Sequence, residues 1–461
     1  MGVFETLFLL FASQALAAPV DGQEGTKNAA GQNGILHLPL VHFAKEVDAR
    51  DIEKRGFSTP LDYFKYDGER AVTAVGIVLD VGTPPQKVIL EPDTGSSKFW
   101  LLGLKPGDTR GDGPSVYFDQ KQSQSLQDMN KEDGASYGSG ERVTYNMVTD
   151  KVSFEGKDII YSIPKFQIQL THAISLGRLV GVMGLIPDPK VEDFILDKVL
   201  EKNLVKSRAF SLGLREKGKG ALAFGGYDTK KFSGPLEKFP IQPHKKTGNT
   251  SQYIVEVQAV LFNNGTGNSA VVLDKGDLKE DLKGGLKADK PLTMGIDSGA
   301  PAFGVSGALG RLLMPRTGGN FKLRPRVLEF GCDVVDAKAS FEFKMSDKTV
   351  ISIPLSDLLW SRIDNGKTCQ LAVQGWDGDA ADLWIGGHFL RRSLVVYDPD
   401  NKNVYIARGA DCGSNLVAID GKMPDDAVIG ECKEEAPVSN APTDEPPNTQ
   451  PVLEEADIRG A

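Results

Sequence analysis

Leu90-Glu91-Pro92-Asp93-Thr94-Gly95-Ser96 and Met294-Gly295-Ile296-Asp297-Ser298-Gly299-Ala300 share one core pattern, an aspartate followed by a hydroxyl residue and a glycine. Glycine permits backbone angles that other residues resist, so each stretch turns tightly and leaves its carboxylate at the turn. One such turn means little. These two stand 204 positions apart, one in each half of the chain, as a weak internal duplication would place them. Brought together where two lobes meet, their carboxylates could not both ionise cheaply. One would keep a proton while the other takes one from water. That is the acid and base pair hydrolysis needs, and it makes Asp93 and Asp297 the candidate catalytic residues.

Outward from these turns the chain consists of short β-branched runs broken by Gly, Pro and Asn: 72–81, 86–90, 143–154 and 159–170, then 253–261 and 404–407. Such runs predict strands. Helical periodicity is confined to short pieces such as 191–202, so the fold class is mainly β, antiparallel, with a few helices. With 461 residues, 40% of them apolar and 25% charged, the chain is long enough for two lobes plus extensions. Gly218-x-Gly220-x-x-Ala223 mimics a nucleotide-binding fingerprint, but it lies in a charged turn with no helix after it and is expected to be a hairpin.

At several motifs the sequence resembles the pepsin family of aspartic peptidases, in particular its secreted fungal members, from about residue 71 to 407. Asp93-Thr94-Gly95-Ser96-Ser97 with Trp100 beyond it matches the first active-site motif. Tyr137-Gly138-Ser139-Gly140 stands where the family carries its flap, a hairpin that closes over substrate. Val180-Gly181-Val182-Met183-Gly184-Leu185 and Leu383-Trp384-Ile385-Gly386 resemble the segments that thread behind each catalytic turn. The resemblance implies a bilobal fold, two β-barrel-like lobes with the active site in the cleft between them. It implies a dyad of Asp93 and Asp297, a lock formed by the Thr94 and Ser298 hydroxyls, and support from Gly95, Ser96 and Gly299. Tyr137 would cap the substrate with its phenol oriented by Trp100, and Gly138 and Ser139 would complete the flap. Without the aspartate turns, aromatic packing would be the better reading of Tyr137 and Trp100. Protein or peptide substrates flanked by apolar residues, and no cofactor, are further implications. Cys332 and Cys369, 37 residues apart, lie where the family has a disulfide. Cys412 and Cys432 lie beyond the last strand-like run, where a second bridge or unpaired thiols are the alternatives.

Composition excludes other classes. A formal net charge of −9 and a pI near 5.3 argue against nucleic acid as a partner. The five histidines form no metal-binding spacing, no G-x-S-x-G elbow occurs, and no metal is expected. Residues 7–12 are apolar, and Ala15-Leu16-Ala17 offers a small-x-small cleavage pattern, so 1–17 read as a signal peptide. Met1-Gly2 with Thr6 also fits a loose myristoylation pattern, but the apolar run and the cleavage pattern occur together. Residues 18–55 end in Lys54-Arg55 and read as a pro-segment, the alternative being a flexible leader with an accidental dibasic pair. The lobes are expected at 56–234 and 235–416, and 417–461 as an acidic, Pro-rich, disordered tail. Asn249-Thr250-Ser251 and Asn264-Gly265-Thr266 are glycosylation sequons, each weak alone. A secreted monomer without a membrane anchor is the expectation.

Four residues depart from the family pattern near the chemistry: Pro92 before the first aspartate, Ala300 and Pro301 after the second turn, and Gly387 in the second glycine segment. They leave room for a second reading, a secreted binding protein on an inactive peptidase scaffold. Against it, both aspartates, both glycines, both lock hydroxyls and the flap tyrosine are present.

Overall fold

The computed structural model describes residues 34–39, 41–46, 71–104, 115–136, 142–155, 160–174, 180–188, 191, 193–214, 220–244, 248–275, 291–300, 303–322, 327–371, 373–376 and 382–433. Among the described residues strands predominate and helices are few, in the bilobal pepsin-like arrangement. In the first half one sheet runs in the order Val41–Glu46, Ala71–Val81, Gln86–Asp93, Gly181–Gly184, Phe99–Gly103, Ile160–Ile174, Arg142–Glu155, Gln127–Ser136. Ala71–Val81 also pairs with Arg142–Glu155 through Asp80 and Ser153, which curls the sheet back on itself. Ile77, Leu79 and Val81 alternate along their strand and are fully buried, with Val88, Leu90, Leu101, Phe166 and Ile168 facing them. Each such side chain stabilises the lobe by roughly 1.5–3 kcal/mol relative to an exposed position.

The second half repeats the arrangement around its own aspartate. Gln86–Asp93 lies parallel to Gly181–Gly184, which runs antiparallel to Phe99–Gly103. Thr293–Ile296 likewise lies parallel to Asp382–Ile385, which runs antiparallel to Phe303–Ser306. The duplication read from two turns thus extends to the strands that carry them.

A seven-stranded sheet belongs to both halves, with Phe210–Gly213 paired to Ser393–Asp398 at its centre. The expected lobe boundary at 234/235 therefore falls inside one of its strands, Phe232–Pro240. Leu36–Pro39 forms an edge of this sheet against Ala221–Phe224, and Val41–Glu46 pairs with Ala71–Val81, so part of the expected pro-segment is built into two sheets. Phe210–Gly213 and Ala221–Phe224 pair antiparallel, as the expected hairpin requires, and Gly218 lies outside the described residues.

The tail expected from 417 needs correction at its start. Leu416–Ala418 pairs with Gly226–Asp228, Val428–Ile429 pairs with Phe232–Pro240, and Cys412 is bonded to Cys432. Ile419 and Met423 are buried against Tyr227, Phe232, Leu394 and Val396, so residues 417–433 cover one face of the shared sheet. Cys332 and Cys369 form the other disulfide, between the helix Cys332–Asp336 and the strand Thr368–Leu371.

Candidate active site

Asp93 ends a strand that is buried almost throughout, and Asp297 directly follows Thr293–Ile296, which is buried at every position. Buried strands fix the backbone up to the turn, so each carboxylate is held by a rigid element. The turns are locked together by four hydrogen bonds in a near-symmetric set. Thr94 N–H donates to Ser298 Oγ at 2.9 Å and Ser298 N–H donates to Thr94 Oγ1 at 2.8 Å. In turn, Thr94 Oγ1 donates to the Ile296 carbonyl at 3.0 Å and Ser298 Oγ to the Pro92 carbonyl at 2.6 Å. Ser298 thus supplies the same pair of bonds as Thr94.

Each carboxylate accepts a bond from its own turn glycine, Gly95 N–H to Asp93 Oδ1 and Gly299 N–H to Asp297 Oδ1, both at 2.8 Å. A methyl group on Gly95 would sit 2.3 Å from Asp297 Cγ, and one on Gly299 would sit 2.2 Å from Asp93 Oδ1. Each glycine therefore lies against the carboxylate of the opposite turn, which places the two aspartates face to face. Ser96 Oγ donates to Asp93 Oδ2 at 2.6 Å, whereas Ala300 at the matching position has no hydroxyl to offer.

The glycine segments pass behind these turns. Leu185 N–H donates to the Asp93 carbonyl at 2.8 Å, and Asp297 N–H donates to the Ile385 carbonyl at 2.9 Å. A side chain at Gly184 would come within 2.5 Å of Lys98 N, and one at Gly386 within 1.8 Å of the Ala300 carbonyl oxygen, so only glycine fits. Pro92 disturbs nothing here. A residue's N and O lie on the same edge of a strand, and the Pro92 carbonyl faces Ser298 rather than the Gly181–Gly184 strand, so its ring displaces no ladder bond. Gly387 N–H donates to the Ala300 carbonyl at 2.9 Å and opens the helix Gly387–Arg392.

Trp100 is fully buried, in a cluster with Leu102, Val143, Tyr145, Met147 and Val182. Burial, with Asp133 nearby, pushes the Tyr145 phenol up to about 12, so it stays neutral at any working pH. The hairpin of Gln127–Ser136 and Arg142–Glu155 is paired to its last register, Ser136 with Arg142, and its first strand is exposed along nearly its whole length. Tyr137, Gly138 and Ser139 lie outside the described residues. Asn249 and Asn264 are both exposed, and Asn264 Oδ1 accepts from Thr266 Oγ1 at 2.7 Å. Among the described residues no cluster of His, Cys, Asp and Glu could hold a metal ion.

The sequence profile described as "Eukaryotic aspartyl protease" matches residues 76–409, a span that includes both aspartate turns and the paired glycine segments. The chain belongs to this family. An acid protease of Saccharomycopsis fibuligera is 25% identical over 339 residues, covering 72% of this chain and 79% of that protein. The probable aspartic-type endopeptidase opsB of Aspergillus oryzae is 23% identical over 403 residues, covering 82% and 77%. Secreted aspartic protease 7 of Candida albicans is 24% identical over 356 residues, covering 72% and 59%. The protease is thus a hydrolase of the aspartic endopeptidase class, with proteins or peptides as substrates. No helix among the described residues is long and apolar enough to cross a membrane.

Sequence reasoning missed the contacts behind the turns. In the sequence Leu185 stands only at the end of a glycine segment and Tyr253 only at the start of a strand-like run. A backbone donor or a buried phenol carries no local pattern that separates it from core packing.

Proposed function

We propose that the protease is a secreted endopeptidase working in acid, in which Asp93 and Asp297 share one proton and activate a water held between them. The observation that carries this reading is the reciprocal lock of Thr94 and Ser298, which fixes the two aspartate turns against each other across the halves. The ionised carboxylate takes a proton from water as its oxygen attacks the scissile carbonyl carbon, and the protonated one donates to the carbonyl oxygen. Collapse of the diol breaks the C–N bond, the proton taken from water passes to the leaving nitrogen, and the second returns from the diol to the dyad. Because the two groups titrate as a pair, the proton belongs to the dyad rather than to either residue. Thr94, Ser298, Gly95, Gly299 and Ser96 hold this geometry. The resemblance assigns Tyr137, Gly138 and Ser139 to the flap that caps the substrate, and Trp100 to orienting the Tyr137 phenol.

The remaining parts of the reading are a signal peptide at 1–17, processing after Arg55, glycans on Asn249 and Asn264, and a monomer that takes no cofactor. The secreted fungal relatives support export. Digestion of casein or haemoglobin in acid by the wild type, Asp93→Asn and Asp297→Asn tests the dyad. Both variants keep the shape of the turn and lose proton exchange, so each should fall to background while remaining folded. Wild-type turnover in either would remove the dyad from the mechanism, and a folded but inert wild type would favour a binding role.

A further inference from the structure

We infer that Tyr253 is a positioning residue that braces the two catalytic turns against each other through a closed ring of hydrogen bonds beneath the dyad. This rests on the assignment of Asp93 and Asp297 as the dyad. The Tyr253 hydroxyl donates to the Leu185 carbonyl at 2.7 Å, and Leu185 N–H donates to the Asp93 carbonyl at 2.8 Å. On its other side the Tyr253 carbonyl accepts from Ile296 N–H at 3.0 Å, and the Ile296 carbonyl accepts from Thr94 Oγ1, also at 3.0 Å. Asp93 and Thr94 are joined by a peptide bond, so the ring closes. Its path is Tyr253, Leu185, Asp93, Thr94, Ile296 and back to Tyr253. Leu185, Asp93 and Thr94 belong to the first half of the chain, and Ile296 and Tyr253 to the second.

Every member is buried, so no water competes for these bonds. Tyr253 touches both turns at once, its main chain holding the residue before Asp297 and its side chain holding the peptide behind Asp93. The phenol ring lies edge-on to Phe210 and Tyr397, at centroid distances of 6.0 and 4.7 Å, while its position relative to the turns is set by the hydrogen bonds at its two ends. Burial keeps the phenol protonated, so it remains a donor across the working range. The Thr94 and Ser298 lock fixes the turns at their tips. The Tyr253 ring fixes them one layer lower, where the first turn meets its glycine segment.

Removing only the hydroxyl leaves the Leu185 carbonyl buried without its cross-lobe donor. The Asp93 turn should then sample a wider range of positions relative to Asp297, which raises the barrier without changing substrate contacts. The test is Tyr253→Phe in the full chain, with Phe210→Leu and Asp93→Asn made in parallel. Activity is expressed per active site titrated with a tight-binding transition-state mimic, so a poorly folding variant still reports through its folded molecules. Tyr253→Phe should lose about tenfold in kcat, equivalent to about 1.4 kcal/mol of transition-state stabilisation, with KM unchanged within about twofold. Phe210→Leu should lower Tm through lost packing yet keep kcat per site. Wild-type kcat in Tyr253→Phe overturns the brace, as does a loss of kcat in Phe210→Leu that matches it at equal loss of Tm. Turnover by Asp93→Asn would overturn the dyad assignment instead, whatever Tyr253→Phe does.

Discussion

The helix Gly387–Arg392 starts directly behind the second aspartate turn and carries a titratable group ill suited to acid. His388 Nδ1 is sealed from solvent and has no hydrogen-bond partner among the described residues. Burial pushes the imidazole down from 6.5 to about 3, and the positive charges of Arg391 and Arg392 push the same way. The folded protein therefore keeps His388 neutral over a range in which the unfolded chain protonates it. Because the unfolded state binds the extra proton, stability is fully present above the unfolded value of 6.5 and falls as the pH drops from there toward about 3. The slope cannot exceed about 1.4 kcal/mol per pH unit, so about two units below the unfolded value the limit is about 2.7 kcal/mol. Part of the residue reaches solvent, which brings the expected figure down to about 1–2 kcal/mol. The perturbation is His388→Gln, read as urea unfolding free energies of both proteins from about pH 7.5 down to about pH 4.5. The difference between them should be constant at the upper end and then shift in favour of the variant by that amount. A difference that stays flat across the range would refute the reasoning.

Two substitutions probe the dyad more directly. Gly299→Ala puts a methyl group 2.2 Å from Asp93 Oδ1, so the carboxylates must separate; kcat should fall by about a hundredfold or more while circular dichroism is unchanged. Ala300→Ser restores at the second turn the kind of hydroxyl that Ser96 donates to Asp93 Oδ2 at 2.6 Å. Favouring the ionised form, it should move the acid limb of the kcat/KM profile to lower pH, and an upward shift would count against the pseudo-symmetry of the site.

What could be read in advance was local chemistry. The aspartate turns, the run 72–81 and the run 86–90 announced themselves because their periodicity and glycines are short-range signals, and the strands Ala71–Val81 and Gln86–Asp93 formed there. Gln127–Ser136 gave no such signal. It is polar and exposed along nearly its whole length, and it is extended because it pairs with Arg142–Glu155, whose apolar residues Val143, Tyr145 and Met147 are buried. Residues 417–433 read as part of the acidic tail because their apolar residues are scattered among Asp, Gly and Pro with no strand or helix period. Ile419 and Met423 nonetheless find Tyr227 and Phe232, nearly two hundred positions away, and the bond from Cys412 to Cys432 closes the loop around them. Leu36–Pro39 likewise owes its strand to a partner at Ala221–Phe224. Cross-lobe bonds such as that from Tyr253 to Leu185 have no footprint in one segment alone.

Of the departures from the family pattern, Pro92, Ala300 and Gly387 fall where the architecture can bear them, and Pro301 lies outside the described residues. Each lock hydroxyl donates to a carbonyl and accepts from an N–H of the opposite turn, so the four partners of the two hydroxyls are all main-chain groups. Deleting the Ser298 hydroxyl would strand the Thr94 N–H and the Pro92 carbonyl together in a buried layer, at about 1–3 kcal/mol each. Losing the methyl that threonine would add at 298 costs no hydrogen bond, so serine suffices there and alanine would not. Position 300 is under no such demand. Its backbone already does the structural work, its N–H donating to the Asp297 carbonyl at 3.1 Å and its carbonyl accepting from Gly387 at 2.9 Å. A hydroxyl at 300 could only tune the nearby carboxylate. Substitution at 298 would therefore tell on folding and turnover together, whereas substitution at 300 should tell on the pH dependence of turnover alone.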